Sequence, residues 1–153
     1  MTAALAQIES QEKKEHILEN QEPTTDKAIR DVLSHYANSL NQGDPGSSLA
    51  LYADDAVLMA PNRDTLIGKE AIRQAYEGFA KMMAFDVRFV VHSVVPMAPD
   101  WAFARTSSSG TTTNRMTHAV LQEANQEVFI LKRDASGRWL IAVYSFSSTN
   151  PQP

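Results

Sequence analysis

The chain has 153 residues, 43% hydrophobic and 21% charged, a composition with enough apolar mass for one domain and one that excludes general disorder. A formal charge of −4 with no basic stripe excludes a phosphate-backbone binder, since Lys132, Arg133 and Arg138 only flank one turn. The absence of cysteine removes disulfides, thiol nucleophiles and thiolate metal sites. No apolar run reaches the length of a signal or membrane span, so the expectation is a cytoplasmic protein without membrane or nucleic-acid partners.

Residues 1–23 read as a helical extension rich in Ala, Gln, Glu and Lys, with only Leu5, Ile8, Ile17 and Leu18 as a thin stripe beyond Met1. Glu22-Pro23 predicts its end, because a residue before proline is pushed out of the helical region. Thr24, Thr25 and Asp26 can cap a new helix that opens the main domain, residues 24–149. Ile29, Val32, Leu33, Tyr36 and Leu40 form the stripe of that helix. Gly43 stops it, and Asp44-Pro45 starts a short second helix carrying Leu49, Leu51 and Tyr52. Ala56–Met59 reads as a buried strand, with Thr65-Leu66-Ile67 pairing back across a turn at residues 61–64. Gly68 introduces a third helix over residues 69–83, with Ile72, Ala75, Tyr76, Phe79 and Met83 at helical spacing.

From Phe85 the period changes to two: Phe85, Val87, Phe89 and Val91 share one face, Asp86, Arg88, Val90 and His92 the other. Pro96–Asp100 predicts a turn, and Trp101 onward a strand running into a Ser/Thr-rich stretch near Asn114. Two long strands follow over residues 117–133 and 138–148, joined at residues 134–137. Residues 150–153 form a loose tail. Three helices, a small hairpin and a four-stranded meander predict an α+β domain with a curved antiparallel sheet.

Three segments carry a family resemblance: Tyr36–Asp44 (an N-x-G-D turn), Leu51–Ala56 (a Y-A-D-D-A turn) and Ile67–Ile72 (a G-x-x-A-I helix start). In this order the chain resembles the nuclear transport factor 2-like superfamily, which includes ketosteroid isomerases, polyketide cyclases of the SnoaL kind and scytalone dehydratase. The ending Glu127–Arg133, Gly137-Arg138-Trp139 and Tyr144-Ser145-Phe146 is similar to that of a branch of mostly uncharacterised bacterial members. The resemblance implies a cone-shaped fold, a pocket between the concave sheet face and the helices, and usually a homodimer; separately, no cofactor is expected. It places Tyr36 at the isomerase tyrosine, but Ala60 at its general base and Phe129 at its second acid. Isomerase chemistry of that type therefore lacks the carboxylate that moves the proton.

Glu127 is the candidate carboxylate, sharing a strand face with Phe129 and Leu131, where desolvation would raise its pKa. Its rival role is a structural pair with Arg105; if both point inward, that pair either holds the sheet together or makes Arg105 a ligand-binding residue for an anion. Tyr36 is either a hydrogen-bond donor to a ligand oxygen or a core tyrosine. His118 is a weaker candidate for proton transfer, and His92 weaker still. His16 and His35 have no inward case. Asp54-Asp55 reads as a turn, and no spacing suggests a metal site. Met59, Phe79, Met82 or Met83, Trp101, Phe129, Tyr144 and Phe146 are the candidate apolar lining, or simply core. Three readings stay open. One is a cofactor-independent isomerase-, cyclase- or dehydratase-like enzyme on a hydrophobic carbonyl compound, with Glu127, Tyr36 and His118. The others are a non-catalytic binder of a small hydrophobic molecule and a dimerisation module; a cavity filled by side chains would sink both the enzyme and the binder and favour the last.

Overall fold

A computed structural model describes residues 2–150, with side chains described over residues 4–13 and from residue 25 onward. The tail residues 151–153 and the side chains of His16, Ile17, Leu18 and Thr24 lie outside the described set. Three helices and six strands follow in order: α1 (Thr2–Gln42), α2 (Pro45–Leu49), β1 (Tyr52–Met59), β2 (Leu66–Ile67), α3 (Lys69–Met82), β3 (Met83–Ala98), β4 (Trp101–Asn114), β5 (Val120–Arg133) and β6 (Trp139–Ser148). The strands form one curved, unclosed sheet in the order β2-β1-β6-β5-β4-β3. All pairs are antiparallel except β1 with β6.

The expected break at Pro23 does not occur: the helix runs through it from Thr2 to Gln42. Proline removes one backbone donor from a helical ladder, and the strong helix formers on its N-terminal side leave the remaining ladder to carry the turn. Asp26 accordingly does not cap; its carboxylate accepts from Arg30 Nε at 2.7 Å within the helix. The stripe of α1 behaves as its spacing requires, with Ile29, Leu33 and Tyr36 buried against the sheet. Gly43, at φ 65°, closes it, with the Gly43 and Asp44 amides donating to Leu40 and Ser39 carbonyls. Asp44 caps α2 by accepting from the Ser47 amide and hydroxyl, ahead of Pro45.

Tyr52 opens β1 rather than ending a helix, and a register irregularity against β6 falls between Tyr52 and Val57. Asp54 and Asp55 sit exposed in that irregular stretch, so they are strand residues, not the turn expected. Asp55 pairs with Lys132 at 2.5 Å and Asp54 faces Lys69 at 3.9 Å. β3 continues through Pro96 to Ala98, leaving only Pro99-Asp100 as the turn. An edge strand tolerates proline because one side of its backbone has no ladder to donate to. Farther along the same edge, Asn41 closes the ladder: its side chain donates to the Val87 carbonyl and accepts from the Val87 amide.

The core lies between the concave face of the sheet and the helices. Ile29, Leu33, Tyr36, Tyr52, Leu58, Ile72, Tyr76, Phe129, Leu131, Ile141 and Tyr144 are all buried in it.

Candidate functional site

Strand alternation positions the polar groups of the inner face. On β5, Glu127, Phe129 and Leu131 point inward and are buried, while Val128 is 43% exposed on the outer side. On β4 the inward set is Ala102, Ala104, Thr106 and Ser108, and the register sets Thr106 opposite Glu127. Glu127 is 3% exposed and accepts hydrogen bonds from the Thr106 and Ser108 hydroxyls. Among the described residues no cation pairs with it. Burial therefore pushes its pKa up, with the two hydroxyl bonds opposing the rise.

Beyond Phe129 the inner face becomes aromatic. The hydroxyls of Tyr36 and Tyr52 each lie 2.7 Å from that of Tyr76, making a chain of three phenols drawn from α1, β1 and α3. Three O–H groups sharing two bonds leave one proton free to donate elsewhere. Burial holds all three phenols, and Tyr144, well above the ordinary tyrosine range, so they act as neutral donors. Phe89, Phe129 and Tyr144 surround the Tyr36 ring edge-on at 5.5–5.7 Å between centroids. Phe129 and Tyr144 stack at 4.1 Å. Where α1 meets α2 and α3, beside Ser39, Ser48, Tyr76 and Phe79, a recess of about 10 Å³ has room for about one water.

Among the described residues, open space of molecular size lies in two places. One is a groove of about 470 Å³ along β4, β5 and β6 whose lining includes His92, Arg105, Thr106, Glu127 and Phe146. The other, a cleft of about 690 Å³ between the β1–β2 loop and α3, has Leu58, Ala60, Leu66, Ala75 and Phe79 as its carbon lining, with Asn62, Arg63 and Asp64 from one loop. Phe79 lines both this cleft and the small recess. Ala60, at the position where the resemblance expects a base, is on the wall of the cleft.

The structure brings Tyr36, Glu127, Phe129 and Tyr144 to the inner face, with half-buried Phe146 stacked on Tyr144 at 5.2 Å. It separates the others. Arg105 alternates with Ala104 and Thr106 and is exposed on the outer face, so it cannot pair with Glu127. Trp101 shares that outer face and is 43% exposed; Met59, next to inward Leu58, is 39% exposed. His118 is not on the strand at all. Asn114 Oδ1 accepts from the amides of Met116 and Thr117 and holds a turn, in which His118 takes φ 59° and is exposed. β5 begins only at Val120. Met82 is exposed at the end of α3, while Met83 is half-buried at the start of β3. His92 is exposed and meets Ser107 Oγ at 2.7 Å.

Sequence reasoning missed Thr106 and Ser108 as the partners of Glu127, although inward Ala102 and Ala104 carry their parity. It placed Tyr76 on a core stripe without seeing that its hydroxyl joins two others. Among the described residues, no group of His, Asp or Glu is arranged to hold a metal ion, and no helix is long and apolar enough to cross a membrane.

Residues 32–142 match the SnoaL-like domain profile. A ketosteroid isomerase-like protein from Erwinia carotovora atroseptica SCRI1043 is 34% identical, with a TM-score of 0.78 over 82% of this chain and 96% of that one. A conserved protein from Planctomyces limnophilus DSM 3776 is 24% identical, with a TM-score of 0.74 over 82% and 98%. A nuclear transport factor 2-like superfamily protein from Salmonella enterica serovar Typhimurium LT2 shares the fold at 14% identity, with a TM-score of 0.74 over 86% and 95%. No curated protein matches the sequence. A profile match over most of the chain and a fold shared nearly end to end with these structures agree, and the chain belongs to the SnoaL-like family of the nuclear transport factor 2-like superfamily.

Proposed function

We propose that the protein binds a small, mostly apolar molecule in the cleft between the β1–β2 loop and α3. One observation carries this reading: about 690 Å³ of space lies there, walled by Leu58, Ala60, Leu66, Ala75 and Phe79. Carbon walls with a few polar groups on one side are the usual form of a small-molecule site. A thermal-shift screen with cyclic ketones and naphthols tests it. Binders raise the melting temperature of the wild type and not of Ala75→Phe, whose ring fills the cleft. A panel that leaves the wild type unmoved to its solubility limit overturns the reading.

A second reading, cofactor-independent proton transfer on a carbonyl compound, draws support from the cation-free buried Glu127 and the phenol chain ending at Tyr36. Tyr36 would polarise an oxygen and Glu127 would move the proton. Its test is deuterium exchange at the carbon beside the carbonyl of a bound ketone. Under this reading Glu127→Gln abolishes exchange with binding retained, and Tyr36→Phe slows it by roughly 10²–10³. Binding without exchange in the wild type leaves the first reading alone.

The outer sheet face supports a homodimer as the working assembly. Val90, Val95, Trp101 and Val128 stand between 39% and 43% exposed there, an apolar patch of the kind that a second copy covers.

A further inference from the structure

We propose that the cleft selects an apolar monocarboxylate, with Arg63 as the residue that holds its carboxylate. This inference rests on the cleft being the ligand site. The Arg63 guanidinium lies 5.3 Å from the centroid of the Phe79 ring, over a residue that lines the cleft. A ring face attracts the cation without satisfying the five N–H donors. Among the described residues, no hydrogen bond or ion pair occupies those donors. The neighbouring cations are committed: Arg73 to Glu70 and Glu77, Lys69 to Asp54, and Lys132 to Asp55. Among the described residues, Arg63 is thus the one cation lining the cleft, anchored at its ring contact and open at its donors. A planar guanidinium matches a planar carboxylate through two parallel hydrogen bonds, while Leu58, Ala60, Leu66 and Ala75 take up the carbon body.

Asp64 narrows the class. It lines the same cleft and makes no ion pair with Arg63. A ligand on Arg63 therefore sits beside a carboxylate, which penalises a second negative charge. A phosphate monoester, near −2 at neutral pH, pays that penalty more heavily than a carboxylate. Asn62, at φ 57°, turns the chain so that residues 62–64 all reach the cleft from one loop.

Matched probes below their micelle concentrations test the proposal: decanoate, decanol, decyl phosphate and decyltrimethylammonium, measured by calorimetry. Decanoate is expected to bind wild type at least about tenfold tighter than decanol, the scale of charge-assisted hydrogen bonds. Arg63→Ala is expected to bring decanoate down to the level of decanol and leave decanol unchanged, which also shows that the cleft survives. Arg63→Lys keeps part of the preference, and Asp64→Asn improves decyl phosphate more than decanoate. Equal binding of decanoate and decanol by wild type overturns the proposal, as does decanoate binding indifferent to Arg63→Ala. If Ala75→Phe leaves every probe binding as before, the cleft itself is the wrong site and both readings fall. If it blocks decanol but Arg63→Ala has no effect on decanoate, the cleft stands and the carboxylate assignment falls.

Discussion

Glu127 is a buried carboxylate with no cation beside it among the described residues, and its cost to the fold depends on pH. Its folded-state pKa lies above the ordinary glutamate value of 4.5 because burial disfavours the charged form. Between those two values the folded chain holds the proton more tightly than the unfolded one, so stability is full below about pH 4.5 and falls as pH rises through the folded-state pKa. Glu127→Gln keeps an acceptor for one of the Thr106 and Ser108 hydroxyls, turns an amide donor toward the other and removes the charge. Urea melts from pH 4 to 8 should show wild type losing stability relative to the variant as pH rises, with a constant difference at the acid end. A difference that grows toward acid would mean that a cation, not two hydroxyls, stabilises the carboxylate. Gly110 illustrates a different constraint. A Cβ there would stand 2.0 Å from the Asp86 carbonyl oxygen and 2.8 Å from Val87 Cα, both backbone atoms of the paired strand. Gly110→Ala must push β3 from β4, and a loss of roughly 1–3 kcal/mol or more is expected by denaturant unfolding.

At the scale of elements, α1 has two unlike halves. Ile29, Leu33 and Tyr36 lie in the core, while Leu5 and Ile8 are 62% and 53% exposed and residues 4–13 are exposed throughout. An exposed helical segment contributes little to a cooperative core. Removing residues 1–13 should therefore change the urea midpoint by little, while Leu33→Ala should cost about 2–5 kcal/mol through its cavity. A large drop in midpoint on removing residues 1–13 would show that this segment packs. The meander works differently, because each strand is specified by its neighbours as well as its own alternation. Inward Thr106 and Ser108 are useful only because the register with β5 brings Glu127 opposite them.

At the scale of the molecule, the outer sheet face and the cleft lie apart, so assembly and ligand binding should be separable. Sedimentation at micromolar concentration is expected to show a dimer for wild type and a monomer for Val128→Asp. The monomeric variant should bind cleft probes as wild type does. A wild-type monomer at that concentration would refute the homodimer.

Local chemistry made much of this legible beforehand. The stripe Ile29–Leu40, the Gly43 stop, the Asp44-Pro45 cap and the alternation from Phe85 each depend on spacing within a few residues. The structure reproduces them. The inward side of Glu127 also follows from parity with Phe129 and Leu131. Parity could not tell which face of a neighbouring strand is inner, so Arg105 and Trp101 were assigned to the wrong side. A turn held by the Asn114 side chain removed His118 from its strand, because a local hydrogen bond outweighed strand propensity. Only the tertiary structure decided where empty space lies. Whether rings from α1, β1 and α3 meet or part is set by element packing, and here their hydroxyls meet at Tyr76 and close the interior. The parallel pairing of β1 with β6, between segments some 80 residues apart, places the Ala60 loop against α3 and leaves the cleft open there.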